Sequence, residues 1–140
     1  MTDKTIMVVD NPKLSLDALL RALHMDETSD PDDLEEIKRM REEVLAIARP
    51  KALYGVVQIE KRDKNGITAD GVRFSSPLVN QNLENTARMI PFVVTCGAEA
   101  EKWSQAYRND PLTGFWADTI KLLLLGEARQ QLQQEMAKYF

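Results

Sequence analysis

Between Gly71 and Tyr107 the chain reads GVRFSSPLVNQNLENTARMIPFVVTCGAEAEKWSQAY, and this stretch decides the fold class. Ser75 and Ser76 supply capping hydroxyls, and Pro77 suits a first helical position, where its missing N–H is no loss. Leu78, Val79, Leu83, Thr86 and Ala87 then recur at helical spacing and predict a helix. Ile90 to Cys96 (IPFVVTC) is a short, almost wholly apolar run, the pattern of a strand covered on both faces. Gly97 breaks that run, and Ala98 to Tyr107 resumes a helical pattern with Ala100, Trp103 and Tyr107 on one side. Helices and strands packed this densely predict an α+β fold, an antiparallel or mixed sheet with helices against it.

Upstream, Thr5 to Val9 is a short β-prone run closed by Asp10-Asn11-Pro12, read as an edge strand. Ser15 caps a short helix whose apolar face is Leu16, Leu19, Leu20 and Leu23, and an acidic connector follows from Met25 to Asp30. The next helix has the clearest start signal in the chain. Asp30 is the expected N-cap, Pro31 the first helical residue, and Asp32, Asp33, Glu35 and Glu36 crowd the positive end of the helix dipole. Leu34, Ile37, Met40, Val44, Leu45 and Ala48 form its expected buried stripe, with Glu35 and Arg39 spaced for an ion pair on the outer face. Ala52 to Ile59 is β-rich and reads as one strand buried on much of both faces. Asn65-Gly66 is a strong hairpin signal, and Asp70-Gly71 interrupts the return strand Ile67 to Phe74 as a bulge or a second turn.

Downstream, Asn109-Asp110-Pro111 makes a turn, and a last helix runs from near Leu112 toward Lys138. Leu112, Phe115, Trp116, Thr119, Ile120, Leu123 and Leu124 are expected to pack inward, while the glutamine-rich end has little to bury. Gly126 weakens this helix by about 1 kcal/mol relative to Ala.

At 140 residues the chain has room for one domain, a strand and short helix over residues 1–30 and a main body over 31–140. Net charge of −4 argues against a nucleic-acid footprint. The longest greasy run, Ile120 to Leu125, carries Lys121 and is too short to cross a bilayer. The N-terminus lacks the pattern of a secretion signal, and a single cysteine, Cys96, suits a reducing, cytoplasmic setting.

Catalytic constellations are sparse. His24, the only histidine, has no partner at metal-ligand spacing, and it reads as a helix-end residue facing the C-terminal dipole. Cys96 with His24 lacks an orienting third group, so the thiol reads as a small apolar filler at a strand end. Thr95-Cys96-Gly97 before a helix has the form of an anion cradle, but Glu99 and Glu101 in the first turn would repel a phosphate. Gly97 is better explained by a tight strand-to-helix turn.

Several of these segments also carry a family resemblance. The order of strand, S-S-x-x-L helix and V-x-T-x-G-x-x-x-E resembles the activation domain of cobalamin-dependent methionine synthase and its stand-alone relatives. The matching residues are Ser76, Leu78, Leu83, Thr95, Gly97 and Glu101, and Ala48 to Glu60 (ARPKALYGVVQIE) is similar to another segment of that family. The resemblance spans about Leu34 to Glu127. It implies an accessory role in corrinoid-dependent methyl transfer, docking on a corrinoid protein or methyltransferase, with S-adenosylmethionine as ligand. Glu127 loosely matches a family glutamate that contacts the adenosylmethionine amine. The family's R-x-x-P-G-Y ligand loop has no counterpart here, since no Gly-Tyr pair occurs and neither Gly nor Pro follows Gly126. His24 does not fit the D-x-H-x-x-G corrinoid loop, with Ala22 before it and Glu27 after. The alternative is a non-catalytic assembly subunit that keeps the scaffold without the ligand. Phe115, Trp116 and Leu122 to Leu125 cover more than one face of the last helix, which suits pairing with a second copy in a homodimer.

Overall fold

The computed structural model describes residues 4–76 and 87–138, and the helix expected from Pro77 lies outside them. The described elements are β1 (Lys4–Val8), α1 (Leu16–Ala22), α2 (Pro31–Leu45), β2 (Lys51–Gly55), β3 (Val57–Asp63), β4 (Gly66–Ala69), β5 (Val72–Phe74), β6 (Arg88–Met89), β7 (Phe92–Thr95), α3 (Ala98–Ser104), a 3-10 turn (Gln105–Tyr107) and α4 (Pro111–Ala137). This is an α+β fold with two antiparallel sheets, ordered β1-β2-β7 and β5-β4-β3-β6. The chain forms two compact units, Met1–Ile6 with Leu53–Val93 and Met7–Ala52 with Val94–Phe140. Their boundaries fall inside β1, β2 and β7.

The first unit is built on a meander. β3 pairs antiparallel with β4, with Asp63 opposite Gly66, so the turn residues are Lys64 and Asn65, one position earlier than the Asn-Gly signal suggests. The Asn65 N–H donates to the Asp63 carboxylate at 2.8 Å, and this side-chain bond fixes the turn. The Asp70-Gly71 interruption is a turn, joining β4 to β5 with Ala69 opposite Val72. Both residues have positive φ, 50° and 74°, the backbone that matches the twist of the flanking strands. β6 pairs with the start of β3 through Val57–Met89 and Gln58–Arg88.

Two strand expectations are corrected here. The single strand predicted over Ala52 to Ile59 breaks at Val56, which is 43% exposed, into β2 and β3 in different sheets. The run Ile90 to Cys96 is not covered on both faces: Phe92 and Val93 of β7 are 50% and 64% exposed. Among the described residues β7 is an edge strand of its sheet, so no described strand lies along one flank, and apolar composition alone does not supply a cover. β1 occupies the opposite edge, as its turn-bounded sequence predicts.

The second unit holds the helical core. Leu14, Leu19, Leu23, Ile37, Met40, Val44 and Ala48 meet Ala100, Trp116, Ala117, Ile120 and Leu124 in one buried cluster. α2 starts as predicted, with the Asp30 carboxylate accepting from the Asp32 and Asp33 N–H groups and Pro31 at the first position. Leu34 and Leu45 of its expected stripe are only partly buried. On its outer face Arg39 pairs with Glu36 and Glu43 rather than Glu35, whose partner is Lys38. α4 is capped by Asp110, and its buried stripe is Trp116, Ala117, Ile120, Leu124, Ala128 and Leu132. Leu112 and Phe115, expected inside, are 50% and 55% exposed, and the glutamine-rich end buries Ala128 and Leu132 after all. Both outcomes follow from one helical face, which repeats every 3.6 residues through Ala117, Ile120, Leu124, Ala128 and Leu132 and points Leu112 and Phe115 away.

The end of α1 explains His24. Its N–H reaches the Arg21 carbonyl and the Met25 N–H reaches the Leu20 carbonyl, a Schellman closure with His24 in the left-handed position at φ 56°. Met25 and Leu20 both pack on the core and complete the motif. Glycine is the residue such a position favours, so His24→Gly is expected to raise unfolding stability by about 1 kcal/mol in urea denaturation. Unchanged or lower stability would show that the imidazole contributes to the closure.

Candidate functional site

Glu127 lies on α4 and is partly buried, with its Oε1 accepting a 3.1 Å hydrogen bond from Gln131 Nε2 one turn later. It lines a groove of about 520 Å³ between α4 and the start of α1, within the helical unit. Lys13, Ser15, Gln130 and Gln134 supply its other polar groups, and Leu14, Leu122 and Leu123 its apolar wall. The Ser15 hydroxyl is already used, accepting from the Ala18 N–H as the α1 N-cap. What the groove offers a ligand is therefore one carboxylate, one lysine ammonium and a set of amides. Such a pairing of opposite charges suits a zwitterionic amino-acid group, the carboxylate facing the ammonium. The rest of the wall is aliphatic, and among the described residues no aromatic ring lines the groove. Lys13 was not singled out by sequence. Only its nearness in space to Glu127, across more than a hundred residues of chain, brings it into consideration.

A second cleft of about 540 Å³, also in the helical unit, is bordered by Glu101, Arg108, Gly114, Phe115, Asp118 and Lys121. Its interior cation is already committed: Lys121 Nζ is 3.0 Å from Glu101 and 3.5 Å from Asp118, and its side chain is 19% exposed. Burial pulls the Lys121 ammonium down, but the hydrogen bond and charge of Glu101, with Asp118, hold it above its ordinary pKa. Glu101, one of the family-matched positions, thus serves an internal ion pair.

The strand-to-helix turn at Gly97 carries no anion cradle. Gly97 adopts φ 94° and ψ 155°, and a Cβ there would fall 2.5 Å from the Arg49 carbonyl oxygen. The glycine is explained by that close backbone approach. Glu99 takes the place an anion would want: its own backbone N–H first, then Lys51 at 3.6 Å, keeps its carboxyl below the ordinary range. Cys96 is half-buried, and burial first, then the Glu101 charge, pushes its thiol up, away from the reactive thiolate. Its Sγ contacts the adjacent Gly97 carbonyl, while His24 is exposed at the end of α1, so no hydrogen bond joins the imagined nucleophile to its base. Among the described residues no group of three His, Cys, Asp or Glu side chains converges as a metal site.

One polar cluster was not legible in sequence. Tyr107 donates from its hydroxyl to Glu43 Oε1 at 2.5 Å, and Trp103 Nε1 reaches the same oxygen at 3.4 Å. The two rings pack 5.2 Å apart at 57°. Burial, and then the Glu43 carboxylate, push the Tyr107 phenol up to about 12. A folded pKa above the unfolded value means that its contribution is full below about pH 10 and fades as pH rises toward 12. Phenolate absorbance is expected to show a step near pH 12 that Tyr107→Phe removes, and a wild-type titration without that step would contradict the burial of this phenol against Glu43.

Among the described residues no helix is long and apolar enough to cross a membrane. No protein-family model and no curated protein sequence matches the chain.

Proposed function

We propose that the protein works by binding and positioning, as a cytoplasmic accessory protein in corrinoid-dependent methyl transfer that takes S-adenosylmethionine in the Glu127 groove. The observation that carries this reading is that Glu127 and Lys13 line one groove, a set of opposite charges that suits an amino-acid zwitterion. The link to corrinoid chemistry rests on the sequence resemblance over Ala48–Glu60 and Gly71–Glu101. When bound, adenosylmethionine would supply an activated methyl group. The chain's own residues would hold the amino-acid end: Glu127 accepts from its ammonium, Lys13 donates to its carboxylate, and Gln130 and Gln134 supply further amide partners. The corrinoid would belong to the partner protein. Calorimetric titration with S-adenosylmethionine is expected to show saturable binding, weakened about tenfold or more by Glu127→Gln, the loss of one charge-assisted hydrogen bond. Absence of heat at millimolar ligand would overturn the reading.

The second reading, an assembly subunit without a ligand, is favoured by a separate observation. Leu112, Phe115 and Leu122 of α4 are 50%, 55% and 68% exposed, an apolar display that a helix facing only water does not need.

A further inference from the structure

The exposed large apolar residues of α4, Leu112, Phe115 and Leu122, are not scattered around the helix but share a face with the partly buried Thr119 and Gly126. Leu112, Phe115, Thr119, Leu122 and Gly126 follow one another at spacings of three and four, which places them on a single seam. This seam is distinct from the buried stripe of Trp116, Ile120, Leu124, Ala128 and Leu132. It begins with half-exposed apolar side chains and reaches a glycine at Gly126, where an added Cβ would meet nothing within 4 Å. Between Leu112 and Gly126 the exposed Asp118 flanks it, three residues after Phe115 and four before Leu122; the next seam position beyond Gly126 is the exposed Arg129.

Such a seam is complementary to itself when reversed. In an antiparallel pair with knobs-into-holes packing, Phe115 of one copy lies opposite Gly126 of the other, a large side chain over the residue that leaves room for it. Thr119 lies opposite Leu122, and Leu112 opposite Arg129. The last pairing brings the Arg129 guanidinium to the N-terminal end of the second copy's helix, beside its Asp110 carboxylate. A two-fold axis repeats every contact, so the face closes on itself without leaving a free patch. A parallel pair would stack Phe115 on Phe115, Gly126 on Gly126 and Arg129 on Arg129, with no hole for the ring and like charges together. We infer that α4 is the contact helix of an antiparallel homodimer of this chain, with Phe115 packed over Gly126 of the second copy.

This deepens the assembly reading and needs no adenosylmethionine, although Leu122 and Gly126 of the seam also border the Glu127 groove. The seam from Leu112 to Gly126 is about 21 Å long at 1.5 Å per residue, and two such faces bury less than the roughly 1,200 Å² at which stable complexes begin. The dimer is accordingly weak and concentration-dependent.

Sedimentation of the wild-type chain at protein concentrations up to about a millimolar is expected to show a reversible monomer–dimer equilibrium, as for small interfaces. Leu122→Lys is expected to leave only monomer. Gly126→Leu fills the hole while favouring the helix, so it is expected to weaken the dimer tenfold or more with a fold at least as stable as wild type; this separates a blocked contact from an unfolded chain. Direction is read in a Cys96→Ser background with two single variants, Leu112→Cys and Arg129→Cys. Oxidised together they are expected to cross-link with each other, and oxidised separately to stay uncross-linked. Wild-type monomer throughout the range would overturn the inference, and so would disulfide formation by Leu112→Cys alone. Phe115→Lys, a seam variant outside the Glu127 groove, is expected to be monomeric and to keep the wild-type response to adenosylmethionine, which scores dimer loss and ligand loss apart.

Discussion

Gly97→Ala is expected to cost the protein about 3 kcal/mol or more, a large share of the 5–15 kcal/mol that holds a typical domain together. Two independent effects add at this position. The backbone angles φ 94° and ψ 155° lie in a region essentially restricted to glycine, and any side chain there is strained before it touches a neighbour. The Cβ would then fall 2.5 Å from the Arg49 carbonyl oxygen, a backbone atom that cannot swing aside as a side chain does. Relief requires moving Arg49-Pro50 away from the start of α3, and buried Pro50 anchors that segment by accepting a 2.8 Å hydrogen bond from the Val9 N–H. The same substitution at Gly126 should act in the opposite sense. That glycine is in mid-helix with open space at its Cβ, so alanine is expected to gain up to about 1 kcal/mol. Urea midpoints of the two variants, moving in opposite directions from wild type, check the argument; two shifts of the same sign would refute it.

Ile120→Ala is expected to destabilise by about 2–5 kcal/mol, and Leu122→Ala, two residues away on the same helix, by no more than about 0.5 kcal/mol in the monomer. Ile120 is fully buried among Ile37, Met40, Trp116 and Leu124, so truncation removes three carbon atoms and leaves a cavity that rigid neighbours fill only in part. Leu122 is 68% exposed and loses little on truncation. Thermal or urea unfolding of the pair thus measures which face of α4 belongs to the core. Equal losses would mean that the seam assigned to a second copy is folded against the chain's own core.

What could be read in advance depended on whether the signal was local. Asp30-Pro31 and Asp110-Pro111 announce helix starts because the capping carboxylate and the missing proline N–H act within one turn, and both helices begin there. Ser15 did the same for α1, and Asp70-Gly71 could be narrowed to a turn or a bulge because its φ preference is intrinsic. Cover was not legible. The apolar run around Phe92 and Val93 looks like a buried strand, yet burial depends on which elements lie across it, and β7 is at a sheet edge. Periodicity on α4 placed Trp116, Ile120 and Leu124 inward correctly but widened the stripe to Leu112 and Phe115, because hydrophobic residues on two faces blur a single period.

The candidate site divides along the same line. Glu127 came from a resemblance of short motifs, and its groove partner Lys13 is brought to it only by the packing of α1 against α4. The Glu43–Tyr107–Trp103 cluster likewise joins α2 to α3 and the 3-10 turn that follows it, with separations of 64 and 60. By contrast, the weakness of Thr95-Cys96-Gly97 as an anion site was visible in Glu99 and Glu101, whose charges sit in the first turn of a helix only seven residues long.

The most direct measurement is amide chemical-shift mapping of the isotopically labelled protein during titration with S-adenosylmethionine. Saturating shifts confined to the start of α1, from Lys13 through Ala18, and to the α4 positions from Leu122 through Gln134 are the predicted result. They would locate the ligand in the Glu127 groove and support a binding role. Shifts centred instead on the Gly97 turn or the Lys121 cleft, or no shifts at millimolar ligand, would contradict it.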